Sequence, residues 1–433
     1  MWDQMPVLIL TEIFSYLDRV DRANIAQVCQ TWNYAVSSPI LWRSVTVSID
    51  RDLRGDFPLA GELAAKYGQY MRSLELAWSR PYYRNVLPKE TKISRCSQAE
   101  AGVDFLSTVL AKDVQLKELI LTDWVFGSKW GYRGKLLCAL ASFLGCQNQL
   151  ETLSLLNANL GIGDVLRLLG PAVKSSSDRL ASLDLRGAFR EWQAPYRDPK
   201  YLRLLGRLHA LTTLRLDYPA LSNHTLNALA STASKALKIL HISVRDSDSR
   251  QHRVTDNAWR DLALACPQLT VSYTIVNISH YEDMCYLLLP SVPLARFHMF
   301  SGHVWDQSRS RNFRSTVNLL INNYTNTLAD VMLQLRNNRE LLDDLLLAML
   351  IRCKHLTRLQ YDGIIRSLDT LRDICQLQAE HKTGFKTIRV KSRSINMQNH
   401  ALLDDINYNY ERKMFDQGVD FRIEDSASVM FFY

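Results

Sequence analysis

Few side chains in this sequence stand at the spacings that catalysis needs. There is no Gly-x-Ser-x-Gly turn to expose a nucleophilic serine, and no His-Glu-x-x-His pair to hold zinc on one helix face. Gly131-Tyr132-Arg133-Gly134-Lys135-Leu136 touches the pattern of a phosphate loop. It lacks the four-residue gap between its glycines, and Leu136 stands where a hydroxyl must reach magnesium. Cys353-Lys354-His355 is too isolated to complete a metal site, so Cys353 reads as a framework thiol. Asp343-Asp344 has no second acid identifiable at catalytic reach and reads as a solvated helix face. The eight cysteines form no Cys-x-x-Cys, and most lie in apolar periodic segments, as buried free thiols of a reducing compartment do. The expectation is a chain with no catalytic residue, no cofactor and no metal.

One basic stretch has a binding character. Lys382, Lys386, Arg389, Lys391 and Arg393 occur with no acid between Glu380 and Asp404. Bases so clustered suit a phosphorylated or acidic ligand, or form a solvated edge of the fold. The net charge of +8 is a small excess over many mixed charges. It permits weak attraction to acidic partners, and nucleic-acid binding is not expected.

These residues must be positioned by a large scaffold. A chain of 433 residues exceeds one ordinary compact domain, and 47% hydrophobic with 22% charged residues is the composition of a globular protein. The N-terminal apolar run lacks the basic flank of an export signal, and later apolar runs such as 345–351 are too short to span a bilayer. A cytoplasmic or nuclear protein with no membrane partner is expected.

The first 42 residues read as helices. Leu10, Ile13, Phe14 and Leu17 recur at three and four, giving one apolar stripe, and Pro6 suits the first turn. Residues 22–36 read as a second helix, and Ser37-Ser38-Pro39 breaks it before Leu41-Trp42. Forty residues bury too little surface to stand alone, so this piece must lean on the chain or on a partner.

Behind it runs a repeated phrase, L-x-x-L-x-L or an apolar variant. The copies begin at 71, 116, 150, 180, 211, 237, 294, 328, 356 and 385, with a weaker copy, Leu269 followed by Tyr273, between the sixth and seventh. The eleven starts lie 25 to 45 residues apart, near the leucine-rich-repeat period with insertions. Alternate leucines put one face of a short strand into the core, and stacked parallel strands bury a continuous ladder. Helical patterns fall between the phrases, as in 136–144 and 254–266. The expected fold class is α/β: a helical piece at 1–48, an irregular solenoid of parallel strands with helices on the outer face at 49–400, and a cap with an apolar tail at 401–433. Strands are also expected at 45–49 and 419–423. Insertions at 79–102, 124–135, 189–201 and 245–253 read as binding loops or local lids.

The order Pro6, Ile13-Phe14, Leu17, Val28-Cys29, Trp32 and Leu41-Trp42 resembles the F-box, the module that docks on the Skp1 adaptor of cullin–RING ubiquitin ligases. Val254 to Leu269 looks like the cysteine-containing leucine-rich repeat found downstream of F-boxes, and the overall layout is similar to the group around F-box only protein 39. The resemblance implies a non-catalytic substrate receptor that binds Skp1, and through it cullin and a RING subunit, and holds an unknown protein substrate. The alternative is a scaffold in a non-ligase assembly. It carries the adaptor-facing role to Pro6, Ile9, Leu10, Ile13, Phe14, Leu17, Val28, Cys29, Trp32 and Trp42. The sequence departs from the family pattern at Met5, at Leu8 where an acid is common, and at Arg22-Ala23 where leucines are usual. Substrate-facing candidates are outward positions between strand leucines: Ser154, Asp184, Arg215, His241, His298, Gln360 and Arg389, beside Glu75, Ile120 and Met332.

Overall fold

The computed structural model describes residues 5–17, 19–53, 59–77, 92–123, 133–233, 235–248, 252–278, 280–301, 312–337, 340–393 and 397–425. The chain divides into two compact units, Met1–Gln193 with Arg207–Leu211, and Ala194–Gly206 with Thr212–Tyr433. That division falls inside the repeats.

The first unit opens with three short helices, α1 (Val7–Ser15), α2 (Arg19–Ile25) and α3 (Gln30–Val36), and a 3-10 turn at Pro39–Trp42. Pro6 sits just before α1, and its carbonyl accepts the N–H groups of Ile9 and Leu10 at 3.0 and 3.1 Å. Five parallel strands follow, paired in chain order: β1 (Ser44–Ser48), β2 (Ser73–Ala77), β3 (Glu118–Thr122), β4 (Thr152–Ser154) and β5 (Ser182–Asp184). The second unit holds β6 (Thr213–Asp217), β7 (Ile239–Arg245), β8 (Thr270–Val276), β9 (Leu294–Phe300), β10 (Asp330–Gln334), β11 (Arg358–Ile364), β12 (Thr387–Arg393) and β13 (Asp420–Asp425), again parallel and in chain order.

The eleven leucine phrases are β2 to β12 with the residues just before them, and the flanking strands expected at 45–49 and 419–423 are β1 and β13. Leu74, Leu119, Leu153, Leu183, Leu214 and Leu240 are fully buried, and their strand neighbours alternate outwards. Between strands the chain returns through helices such as Arg133–Gly145, Asn223–Thr232, Asp256–Ala265 and Asp343–Arg352. Ser222 and Thr255 cap two of them by accepting the N–H of Thr225 and Ala258. Cys266 and Cys353 occupy one repeated place: each ends a helix, is buried, and accepts the N–H of the leucine three residues on.

Three expectations change. The one helix expected at 22–36 is two, α2 and α3, with Cys29 as the N-cap of the second. The second half of the insertion at 79–102 is helical, because Lys92–Ala111 forms one long helix. The weak phrase at Leu269 is out of step with its neighbour. A register shift at Val271/Ser272 sets Ser272 opposite Arg296 and Tyr273 opposite Phe297. Residues 79–91, 124–132, 249–251 and 430–433, which hold parts of three expected loops, Gly131 of the loop-like motif and the end of the apolar tail, lie outside the described residues. No described helix is long and apolar enough to cross a membrane.

Candidate functional site

Burial divides the ten residues expected to face an adaptor. Leu10, Phe14 and Trp42 are interior: Phe14 meets Trp32 edge-on at 5.4 Å, and Trp42 donates its indole N–H to the Val36 carbonyl at 2.8 Å. Leu17, Cys29 and Trp32 are half-buried. Pro6, Ile9, Ile13 and Val28 are exposed, Val28 by 61%. The spacing 9, 13, 16 places Ile9, Ile13 and Tyr16 along one outward side of α1, the side opposite the core residues Leu10 and Phe14. Tyr16 and Leu8 are 82% and 81% exposed and join this side. Spacing alone missed them because α1 is apolar on both faces, so a stripe at three and four can be drawn on either.

Arg22, the departure from the leucine pattern, has a role in this geometry. Its Nε donates to the Phe14 carbonyl at 3.1 Å, Nη2 to Ser15 at 3.1 Å and Nη1 to Leu41 at 2.6 Å. Trp42 then stacks flat on Tyr67, with ring centroids 3.9 Å apart and planes within 5°. Tyr67 ends the helix Leu59–Tyr67, which leads through Gly68–Tyr70 to β2.

The outward strand residues form lateral rows. In the first unit Thr46, Glu75, Ile120, Ser154 and Asp184 stand in register on successive strands. Ser154 and Asp184 are nevertheless buried, and Asp184 is engaged by Arg186 at 2.6 Å. In the second unit the candidates split between two rows. Arg215 and His241 continue into Ser272, Arg296, Asp330 and Arg358, whereas His298, Gln360 and Arg389 stand with Thr274 and Met332. His298 meets Asp330 at 3.1 Å, and His241 meets the Thr274 hydroxyl at 3.3 Å.

Three of the five bases in the stretch meet acids, two of them on β13. Arg389 pairs with Asp420 at 2.7 Å, Lys391 with Glu424 at 3.8 Å and Lys382 with Glu380 at 2.7 Å. Asp343 and Asp344 are likewise not a plain solvated face. Asp343 accepts the N–H groups of Arg366 and Ser367, and Asp344 binds Arg314, whose hydrogen bond is the main cause holding that carboxyl below the usual range. Burial pushes the Cys353 thiol up to about 11 and Cys375 to about 12, far from a reactive thiolate. Among the described residues no group of three His, Cys, Asp or Glu could hold a metal ion.

Comparison with known proteins bears on the layout of the chain. Residues 2–48 match the family model of the F-box-like domain. F-box/LRR-repeat protein 21 of Mus musculus is 23% identical over 283 residues, covering 62% of this chain and 58% of that protein. The protein of the same name from Bos taurus is 21% identical over 372 residues, covering 83% of this chain and 76% of that protein. The chain thus spans little more than half the length of the mouse relative. The crystal structure of a TLR13–ssRNA13 complex aligns with 81% of this chain and 50% of that one, at 12% identity and a TM-score of 0.30, too slight a likeness to argue from. The relatives bear on the broad layout and not on the narrower group around F-box only protein 39. With the leucine phrases buried in parallel strands and the match at its head, the chain carries an F-box-like module followed by leucine-rich repeats.

Proposed function

We propose that this chain is the substrate-recognition subunit of a Skp1–cullin–F-box ubiquitin ligase, working in the cytoplasm or nucleus. The observation that carries the reading is the outward side of α1 within an F-box-like module, where Ile9, Ile13, Leu8 and Tyr16 are exposed together. A surface of that kind on a soluble protein marks a docking site. Skp1 covers it and brings cullin and the RING subunit, with Pro6, Leu17, Val28, Cys29 and Trp32 at its margins. Leu10, Phe14 and Trp42 act from inside as the frame. The outward rows of the repeats hold the protein substrate. The chain performs no reaction of its own; it raises the local concentration of target lysines beside the charged E2, so its contribution is proximity.

The test is a pull-down of the full chain from cells, beside a double variant, Ile9→Asp with Ile13→Asp. Recovery of Skp1 and cullin with the wild type, and loss of both with the variant, is the expected result. Absence of Skp1 from the wild-type sample overturns the reading. Skp1 without cullin replaces it with a scaffold in a non-ligase assembly.

A further inference from the structure

Arg22 lies in α2, yet its guanidinium reaches backbone carbonyls in two other segments, Phe14 and Ser15 at the end of α1 and Leu41 in the 3-10 turn. The last carbonyls of a helix have no partner inside it and carry the negative end of its dipole. A planar cation with a fixed fork of donors satisfies several at once, which a lysine ammonium cannot match in geometry. Leu41 adjoins Trp42, and Trp42 rests on Tyr67 in the segment leading to β2. One side chain therefore ties the helix that presents Ile9 and Ile13 to the turn that packs on the first repeats. An apolar residue at this place could fill the same space but could not grip the three carbonyls.

We propose that Arg22 is a positioning residue for adaptor docking: it sets the angle of α1, and with it Ile9 and Ile13, against the Pro39–Trp42 turn. The proposal rests on the reading of the module as a Skp1-docking device. It is tested with the full chain carrying Arg22→Met, which keeps the length and loses the donors, and Arg22→Lys, which keeps the charge and loses the fork. Two measurements are made, hydrogen exchange of the α1 amides and calorimetric titration with purified Skp1.

Loss of charge-assisted hydrogen bonds at this junction is expected to speed α1 exchange about tenfold and weaken Skp1 binding about tenfold in Arg22→Met. Exchange in β6 to β13 stays as in the wild type, and Arg22→Lys falls between the two on both measurements. Wild-type exchange and affinity in Arg22→Met overturn the proposal. So does faster exchange throughout the repeats, which marks a general stabilising role. If the wild-type chain binds no Skp1, the ligase reading fails, and α1 exchange alone decides whether Arg22 positions the helix. If Arg22→Met does not fold, Arg22→Lys carries the test: faster α1 exchange over unchanged repeats supports positioning, and wild-type exchange in α1 overturns it.

Discussion

Along α1, Leu10 and Phe14 are buried while Leu8, Ile9 and Ile13 face outwards. Along β2, β3 and β6, the leucines are all inside and the outward places go to residues such as Glu75, Ile120 and Arg215. The two regions are built from the same apolar residue types, so composition does not separate them. Period does. A strand with period two has one face to hide, and the stacked helices hide it. A short helix that is apolar on two sides has more apolar surface than its own small module can cover. The strand leucines are thus covered within the repeats, whereas α1 keeps an apolar side that its own module leaves uncovered.

The contrast can be broken most strongly at the frame. Trp42→Ala removes a buried indole, its stacking on Tyr67 and its bond to Val36, and is expected to cost about 3–5 kcal/mol by denaturant unfolding. If unfolding is unchanged, the module does not lean on the repeats. Ile13→Asp, on the exposed side, should leave the unfolding midpoint in place but weaken Skp1 binding by about 2 kcal/mol or more in a titration. Equal loss of stability and binding would erase the distinction between frame and face. Within the repeats, Ser222→Ala deletes a helix cap and should lower stability by about 1 kcal/mol with no effect on Skp1 binding.

Smaller effects sharpen the account of the repeat joints. Burial pushes the Asp256 carboxyl up, but the N–H and hydroxyl of Ser291 and the Arg260 guanidinium outweigh it and hold it below the usual range. A depressed carboxyl stabilises the fold above its unfolded value and loses that contribution as pH falls through its folded value. The stability gap between wild type and Asp256→Asn should therefore narrow as the solution is acidified below about pH 4, and a gap that widens there contradicts the assignment. Alkylation at pH 8 should label exposed Cys138 well before buried Cys353 and Cys375, read by mass spectrometry of peptides.

Much of the fold was legible because the leucine phrases are local: L-x-x-L-x-L states which side chains share a strand face without knowledge of any neighbour. What was not legible depends on pairs of distant segments. The acids facing Arg389 and Lys391 lie on β13, so the basic run looked unopposed. Asp343 looked solvated because the N–H groups it receives belong to Arg366 and Ser367 in the next repeat. In the module, spacing does not tell which apolar residues point inwards, as Leu10, Phe14 and Trp42 do, and the carbonyl partners of Arg22 lie in two other segments.

The shift at Val271/Ser272 has a bearing on how such chains can be cut and rejoined. Where neighbouring strands keep step, as from β9 to β12, removing one whole repeat would let the flanking strands meet with their outward rows still continuous. Between β8 and β9 Ala295 is an extra residue with nothing opposite it, so removal of the β8 repeat would bring that irregularity against β7, which keeps step with β8 along its whole length. Repeats are therefore interchangeable within a block whose strands keep step, and β8–β9 is a seam at which shortened or grafted versions should not be spliced.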